Sequence, residues 1–286
     1  MKKKQFLLTL ALASFCLFTA QAQVHFGATT TLNTTFVLDE GLSSNRYNSQ
    51  INYEWAPIGF SFGVDLGKRF GLQLESILAD QGQIFEIVDV AKNVVGERRI
   101  DVSYVQLPLF LKFMSGKDNR ARTNFSFGPQ LSLLRNGVET IQYNASTQFI
   151  PDGDVIPDGA VLNADGSYEV PELPTTELLS SAAQEQIRRF RESEFQIAMA
   201  FGVDIDISKH LYLSTQIRAN YSLTDMRNGD LVDLLREGNI GDIFNRRANL
   251  AVGAQFGLNF VIGGTRTYKA KQKEENSARV NSALGR

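Results

Sequence analysis

Hydrolysis or acyl transfer by a protein of this kind would need a histidine held beside a serine and an acid, and the 286 residues contain two histidines, His25 and His210. His25 opens the first stretch of alternating residues and His210 occupies a three-residue turn. Both therefore fall at strand ends on the side of the short connections, and no catalytic cluster is expected. Metal chemistry fares no better. The acidic turns Pro151-Asp152-Gly153-Asp154 and Asn163-Ala164-Asp165-Gly166-Ser167 offer fewer oxygens at fixed spacing than calcium needs, and they read as ordinary turns. The lone Cys16 lies in an N-terminal apolar run behind the bulky Phe15, which disfavours a lipid anchor. The mature chain is thus expected to have no cysteine chemistry, no metal site and no cofactor. What remains is a set of charges on the polar faces of apolar strands: Asp65, Glu75, Lys112, Asp204 and Arg218, with Gln73, Gln106, Gln130, Gln196, Gln216 and Gln255. Charges in a narrow interior are costly unless paired. Two readings stand: a structural network of ion pairs and amides that fills the interior, or a narrow polar path or binding site.

The elements that place these residues are strands. From Phe195 to Ile207 every second residue (Phe195, Ile197, Met199, Phe201, Val203, Ile205) is apolar, against Gln196, Ala198, Ala200, Gly202, Asp204 and Asp206. A period of two is a strand period, with one face toward hydrocarbon and the other toward something polar. Eight such stretches are expected: His25 to Leu38, Ala56 to Leu66, Phe70 to Leu78, Arg98 to Phe113, Arg122 to Leu134, Arg191 to Ile207, Leu211 to Tyr221 and Arg247 to Ile262. Their connections alternate long and short, the long ones over 39–55, 79–97, 135–190 and 222–246. That alternation predicts an all-β fold, an eight-stranded antiparallel transmembrane β-barrel with short periplasmic turns and long extracellular loops. Glycines on the inward face, among them Gly59, Gly63 and Gly253, suit the curvature of a small barrel.

Lys2 to Lys4, an apolar run from Phe6 to Phe18 and Ala20-Gln21-Ala22 make residues 1–22 a signal peptide. Without it the chain carries 26 bases and 31 acids, a mild acidity that gives no support to nucleic-acid binding. Residues 23–264 form the expected barrel, with 136–190 as a long extracellular loop. Within that loop Thr176 to Phe190 reads as a short amphipathic helix capped by Thr176 and ending in Arg188, Arg189 and Arg191, cations suited to a helix C-terminus or to acidic lipid headgroups. Asp230 to Leu235 reads as another short helix. Residues 265–286, basic and almost without large apolar side chains, read as a flexible periplasmic tail.

The segments Tyr104-Val105-Gln106-Leu107-Pro108-Leu109-Phe110-Leu111-Lys112-Phe113 and Phe125-Ser126-Phe127-Gly128-Pro129-Gln130, with the opening His25-Phe26-Gly27 and a glycine-punctuated last strand, resemble the outer-membrane β-barrel proteins of Bacteroidota, the PorT-like or porin family group. The likeness runs from about Val24 to Ile262 and departs from the family in the long fifth connection and the basic tail. It implies a barrel in outer-membrane lipid, without a catalytic residue, whose partners are other envelope or secretion proteins. The word porin is disfavoured physically, because water-filled pores need about 16–18 strands. The expected role is recognition or scaffolding through the extracellular loops. The alternatives are a narrow channel or gated transporter and a soluble exported ligand-binding barrel.

Overall fold

Residues 23–39, 46–67, 69–115, 120–150, 156–177, 189–237 and 246–262, with 276, 279, 280 and 282, are described by a computed structural model. The expected signal peptide lies outside the described residues, as does most of the tail, in which 276, 279, 280 and 282 are helical. In chain order the elements are β1 (Gln23–Leu38), β2 (Tyr47–Gln50), β3 (Asn52–Asp65), β4 (Phe70–Val88), β5 (Val94–Met114), β6 (Ala121–Tyr143), β7 (Ser146–Gln148), β8 (Val161–Leu162), β9 (Tyr168–Val170), β10 (Leu173–Glu177), β11 (Ser193–Asp206), β12 (Leu211–Ser222), α1 (Gly229–Glu237) and β13 (Ala248–Ile262).

The long strands pair antiparallel in the order β1, β3, β4, β5, β6, β11, β12, β13, and β13 pairs back onto β1. A ring closed this way leaves no strand edge. Following paired residues once around it from Gln23, through Asp65, Gly71, Lys112, Ser126, Ala200, Arg218 and Gly253, returns to β1 at Asn33, a stagger of ten residues. At about 3.3 Å per residue and about 4.7 Å between strands, that stagger tilts the strands by about 40° from the axis.

Three bulges adjust the ring, one of them at the tip of the β4–β5 hairpin, where Val95 is the extra residue between the pairs Ile87–Gly96 and Val88–Val94. Pro57 and Ile58 oppose Thr30 between β3 and β1, a place where a residue without an N–H is tolerated. Arg135 is the extra residue where β6 slips against β5, between the pairs Ser103–Asn136 and Tyr104–Leu134.

The polarity of the two faces changes along the ring. On the side of the short turns, Leu72, Leu74 and Leu78 of β4, Leu107, Leu109 and Leu111 of β5, Phe125, Phe127, Leu131 and Leu133 of β6 and Phe195 to Phe201 of β11 face outward, with polar residues buried between them. The outward-facing stretches 70–78 of β4, 105–113 of β5 and 125–133 of β6 are each nine residues long, which on tilted strands gives roughly the 25 Å band of a membrane barrel. Toward the loops the pattern inverts. Asp80, Ser103, Asp101, Arg99 and Asn136 now face outward, while Phe85, Ile100 and Val102 are buried within. Beyond the inversion β4, β5 and β6 continue for roughly 20 Å, with β2 added to β4 and β10 to β6. Val37, Phe85, Ile100, Val102 and Tyr104 form a buried apolar cluster there, joined by Phe190 and Met226 from the fifth and seventh connections. In the extension the protein is built like a water-soluble one, greasy inside and polar outside.

This inversion corrects several expectations. The third connection, expected over 79–97, is strand almost throughout and shrinks to a turn over 89–93, where Asn93 donates to Asp89 and Lys92 takes φ 69°. The long-and-short alternation of connections therefore fails at this hairpin. The fifth connection loses its first residues to β6, which runs to Tyr143, and contains a separate sheet in the order β7, β9, β8. Thr176, expected as a helix cap, lies in β10 opposite Ile141; residues 178–188 of that expected helix are outside the described ones. The expected helix in the seventh connection is α1, with the Asp230 amide donating to Asn228 Oδ1 at 3.3 Å and Arg236 in its last turn.

Gly82 sits at the inversion with φ 156°, its carbonyl turned inward to accept from Thr35 Oγ1 at 2.7 Å. A Cβ there would overlap the backbone carbonyl of Ile100. Gly82→Val is expected to unzip the β4–β5 hairpin beyond the apolar band while the rest of the ring stays folded, which protease cleavage within 84–99 alongside unchanged heat-shifted gel mobility would show.

Candidate functional site

The interior is filled in layers. At the short-turn end, Lys112 Nζ contacts Asp204 Oδ2 at 3.0 Å, Asn124 Nδ2 donates to Asp204 Oδ1 at 3.0 Å, and Arg122 Nη2 reaches Asp206 Oδ1 at 3.2 Å. His25 stands beside them, its Nε2 3.6 Å from Asp65 Oδ1 and its Nδ1 3.0 Å from the Tyr212 hydroxyl. It reaches the lumen because Gly63 leaves room: a Cβ at 63 would overlap the imidazole.

The middle layer centres on Arg218. Its Nη1 contacts Glu75 Oε2 at 2.6 Å, its Nη2 donates to Gln130 Oε1 at 2.9 Å, its Nε donates to Asn220 Oδ1 at 3.1 Å, and the guanidinium lies 5.2 Å from the centroid of the Phe110 ring. Gln73 and Gln255 donate to the two oxygens of Glu75 at 2.6 and 3.2 Å. Each nitrogen and oxygen of this buried pair thus has a partner, the condition under which such a costly pair is tolerated.

The third layer lies level with the inversion. The Glu194 carboxylate accepts from the Tyr104 hydroxyl, from Ser222 Oγ at 2.9 Å, from Asn249 Nδ2 at 3.0 and 3.2 Å and from Gln196 Nε2 at 3.3 Å. Above it, among the apolar residues of the extension, Glu139 is wholly buried and gathers three arginines: Arg98 at 2.6 Å, Arg247 at 3.3 Å, and Arg189 of the fifth connection. Arg247 also binds Asp39 Oδ2 at 2.6 Å. Burial opposes the charge on Glu139, yet the fields of Arg247, Arg98 and Arg189 outweigh it and hold the carboxyl well below the usual carboxylate range.

All five charges singled out in the sequence are buried. Four of them meet as two pairs, Glu75 with Arg218 and Lys112 with Asp204, and Asp65 sits apart beside His25. The sequence reading missed the Glu139 knot and the Glu194 layer. A signal existed for the first: Glu97, Arg99, Asp101 and Ser103 alternate with Arg98, Ile100 and Val102, a strand of inverted polarity. Among the described residues no group of three or more His, Cys, Asp or Glu could hold a metal ion. A cleft of about 430 Å³ opens at the loop-side rim, lined by Phe190, Arg191, Glu192, Ser193, Asn228 and Gly229.

A closed ring of tilted strands with an apolar outer band and a polar, filled interior is the architecture of a small outer-membrane barrel. Residues 19–228 match the family described as "Outer membrane protein beta-barrel domain". The chain belongs to this family. It is an all-β, non-enzymatic barrel domain of the outer membrane. Similar solved structures include the outer membrane protein OprG of Pseudomonas aeruginosa (7% identity, 85% of this chain and 96% of that one, TM-score 0.37), the attachment invasion locus protein Ail of Yersinia pestis (7%, 83% and 98%, 0.36) and Neisserial surface protein A (8%, 82% and 96%, 0.36). No curated protein matches the chain.

Proposed function

We propose that the chain is an eight-stranded transmembrane barrel with its short turns and both ends in the periplasm, and that its loop-side extension recognises or scaffolds other envelope or secretion proteins. Within the family we infer a place near the PorT-like proteins, on the strength of the Tyr104 to Phe113 motif. The observation that carries the role is the filled lumen: two polar layers below the inversion, a third level with it, and above them an apolar cluster that includes Phe190 and Met226. A path for solutes would have to cross all of them. The residues spent on the extension, by contrast, offer a surface. The outward apolar side chains, such as Phe60 at 63% and Phe201 at 59% exposure, weigh against a soluble exported barrel.

Two measurements test this reading. Purified protein in planar bilayers is expected to show little steady conductance; large stable steps from the intact chain would reject the filled lumen. Protease added to intact cells is expected to cut within 156–166, and capture of the intact envelope complex after such cleavage is expected to lose its partners. Partners retained in full after cleavage, or no cleavage from outside, would defeat the recognition reading.

A further inference from the structure

At the loop-side edge of the outer apolar band, three exposed arginines share one sector of the wall: Arg135 in β6, Arg191 just before β11 and Arg246 just before β13. Backbone bonds string the sector together. Leu134 N donates to Glu192 O at 2.9 Å, Leu223 N to Phe195 O at 2.8 Å, and Arg191 N to Met226 O at 2.8 Å. Arg246 lies along this wall. Its Nη1 donates to Leu223 O at 2.6 Å, its Nη2 donates to the Tyr221 hydroxyl, and its guanidinium carbon sits 5.4 Å from the Tyr221 ring centroid. Every one of these contacts is to a neutral group, so they fix the cation without neutralising it.

Among the described residues, none of the three arginines has a carboxylate within ion-pair distance. The neighbouring Glu192 has a partner of its own. Arg99, on the adjacent strand β5 and further out in the extension, opposite Thr140, is different, since Asp101 neutralises it at 2.7 Å. Directly below the arginines the wall is greasy, with Leu133, Phe195 and Leu223 exposed by 38, 48 and 43%. A ligand for this sector must therefore carry negative charge at the height of the guanidinium groups and hydrocarbon beneath it. A planar guanidinium already held at one edge presents its remaining N–H groups as a fork that fits a phosphate.

We infer that Arg246, Arg135 and Arg191 bind the phosphate groups of an outer-leaflet glycolipid whose acyl chains lie along Leu133, Phe195 and Leu223. The inference rests on the proposed orientation, with the loop side outside the cell. It is tested by native mass spectrometry of the full-length protein in mild detergent, titrated with bis-phosphorylated lipid A, with its dephosphorylated form and with phosphatidylglycerol. Near a membrane surface each basic residue contributes enough that the triple variant Arg135→Gln, Arg191→Gln, Arg246→Gln is expected to bind the phosphorylated glycolipid at least about tenfold more weakly. The variant Arg99→Gln is expected to match the parent, and the dephosphorylated glycolipid to bind as weakly as it does to the triple variant. Heat-shifted gel mobility checks that the triple variant is folded; the single variant Arg246→Gln, at an exposed position, serves if it is not. Equal binding by the parent and the folded variant overturns the site. Equal, arginine-dependent binding of phosphatidylglycerol overturns the glycolipid as its occupant. Protease cleavage of intact cells within 156–166 reads the orientation separately. With cleavage present and binding unchanged the site alone fails, whereas absence of cleavage removes the orientation and the glycolipid with it.

Discussion

Replacing Glu139 by alanine is expected to loosen the loop-side mouth more than any other single change in the extension. The substitution leaves Arg98 and Arg247, both buried, and the partly buried Arg189 without the carboxylate they share. Removing one partner of a buried ionic cluster costs about 3–5 kcal/mol, here confined to the region above the membrane band. Arg189 would release the end of the fifth connection, and Phe190, which packs over Gly137, would follow. Hydrogen exchange of the amides of residues 96–102 and 137–143 is expected to rise steeply, with the membrane strands unaffected; unchanged exchange there would show that the knot is not what ties the mouth. The acid dependence has a definite sign. Because the folded-state pKa of Glu139 is depressed, its contribution is fully present above the unfolded value of about 4.3 and is lost as pH falls toward the folded value. The stability gap between the parent and Glu139→Gln is therefore expected to stay constant from neutral pH to about 5 and to narrow only below about 4.

The second large effect is expected at mid-membrane. Glu75→Gln leaves Arg218 charged, 1% exposed, and facing only amides and the Phe110 ring, for a loss of about 3–5 kcal/mol in urea unfolding from lipid vesicles. The double replacement Glu75→Gln, Arg218→Met removes both charges and is expected to recover most of that loss, because the desolvation of the pair disappears with it. A double variant as unstable as the single one would mean that Arg218 matters through its bonds to Gln130 and Asn220, not through its charge. Conductance separates structure from transport: neither variant is expected to conduct, since the Glu194 layer and the apolar cluster remain in place.

The membrane part of the fold was readable from sequence because one physical rule governs it. Wherever hydrocarbon bathes one face and packed amides fill the other, alternation survives in the text, as from Phe195 to Ile207 or Val105 to Phe113. The extension obeys the opposite rule, and the changeover erased the signal. Asp80, Gln81, Gly82 and Gln83 are consecutive polar residues that look like a loop, although Gln81 and Gln83 are buried and the strand runs on to Val88. The inward charges were visible one at a time, since each sits opposite an apolar neighbour. Their partners were not, because Glu75 and Arg218 are 143 positions apart and meet only through the stagger of the ring. The Glu139 knot was hidden for a further reason: Glu139 and Asp39 fall in stretches read as connections, and Arg189 and Arg247, at the ends of an expected helix and an expected strand, carry no mark there of the partner they meet.

The same ten-residue stagger fixes how this barrel can yield. The bore of a closed sheet is set by the number of strands and their stagger, so it cannot dilate by degrees the way a cleft between two domains opens. Widening it would need a strand to slide. A slide of one residue turns every side chain of that strand to the wrong face, and a slide of two, which keeps the faces, pulls Arg218 away from Glu75 and Lys112 away from Asp204 together. The wall is therefore stiff in the sense that a cog is stiff, holding one gauge until teeth break, and any movement the protein uses must come from what rests on the rim.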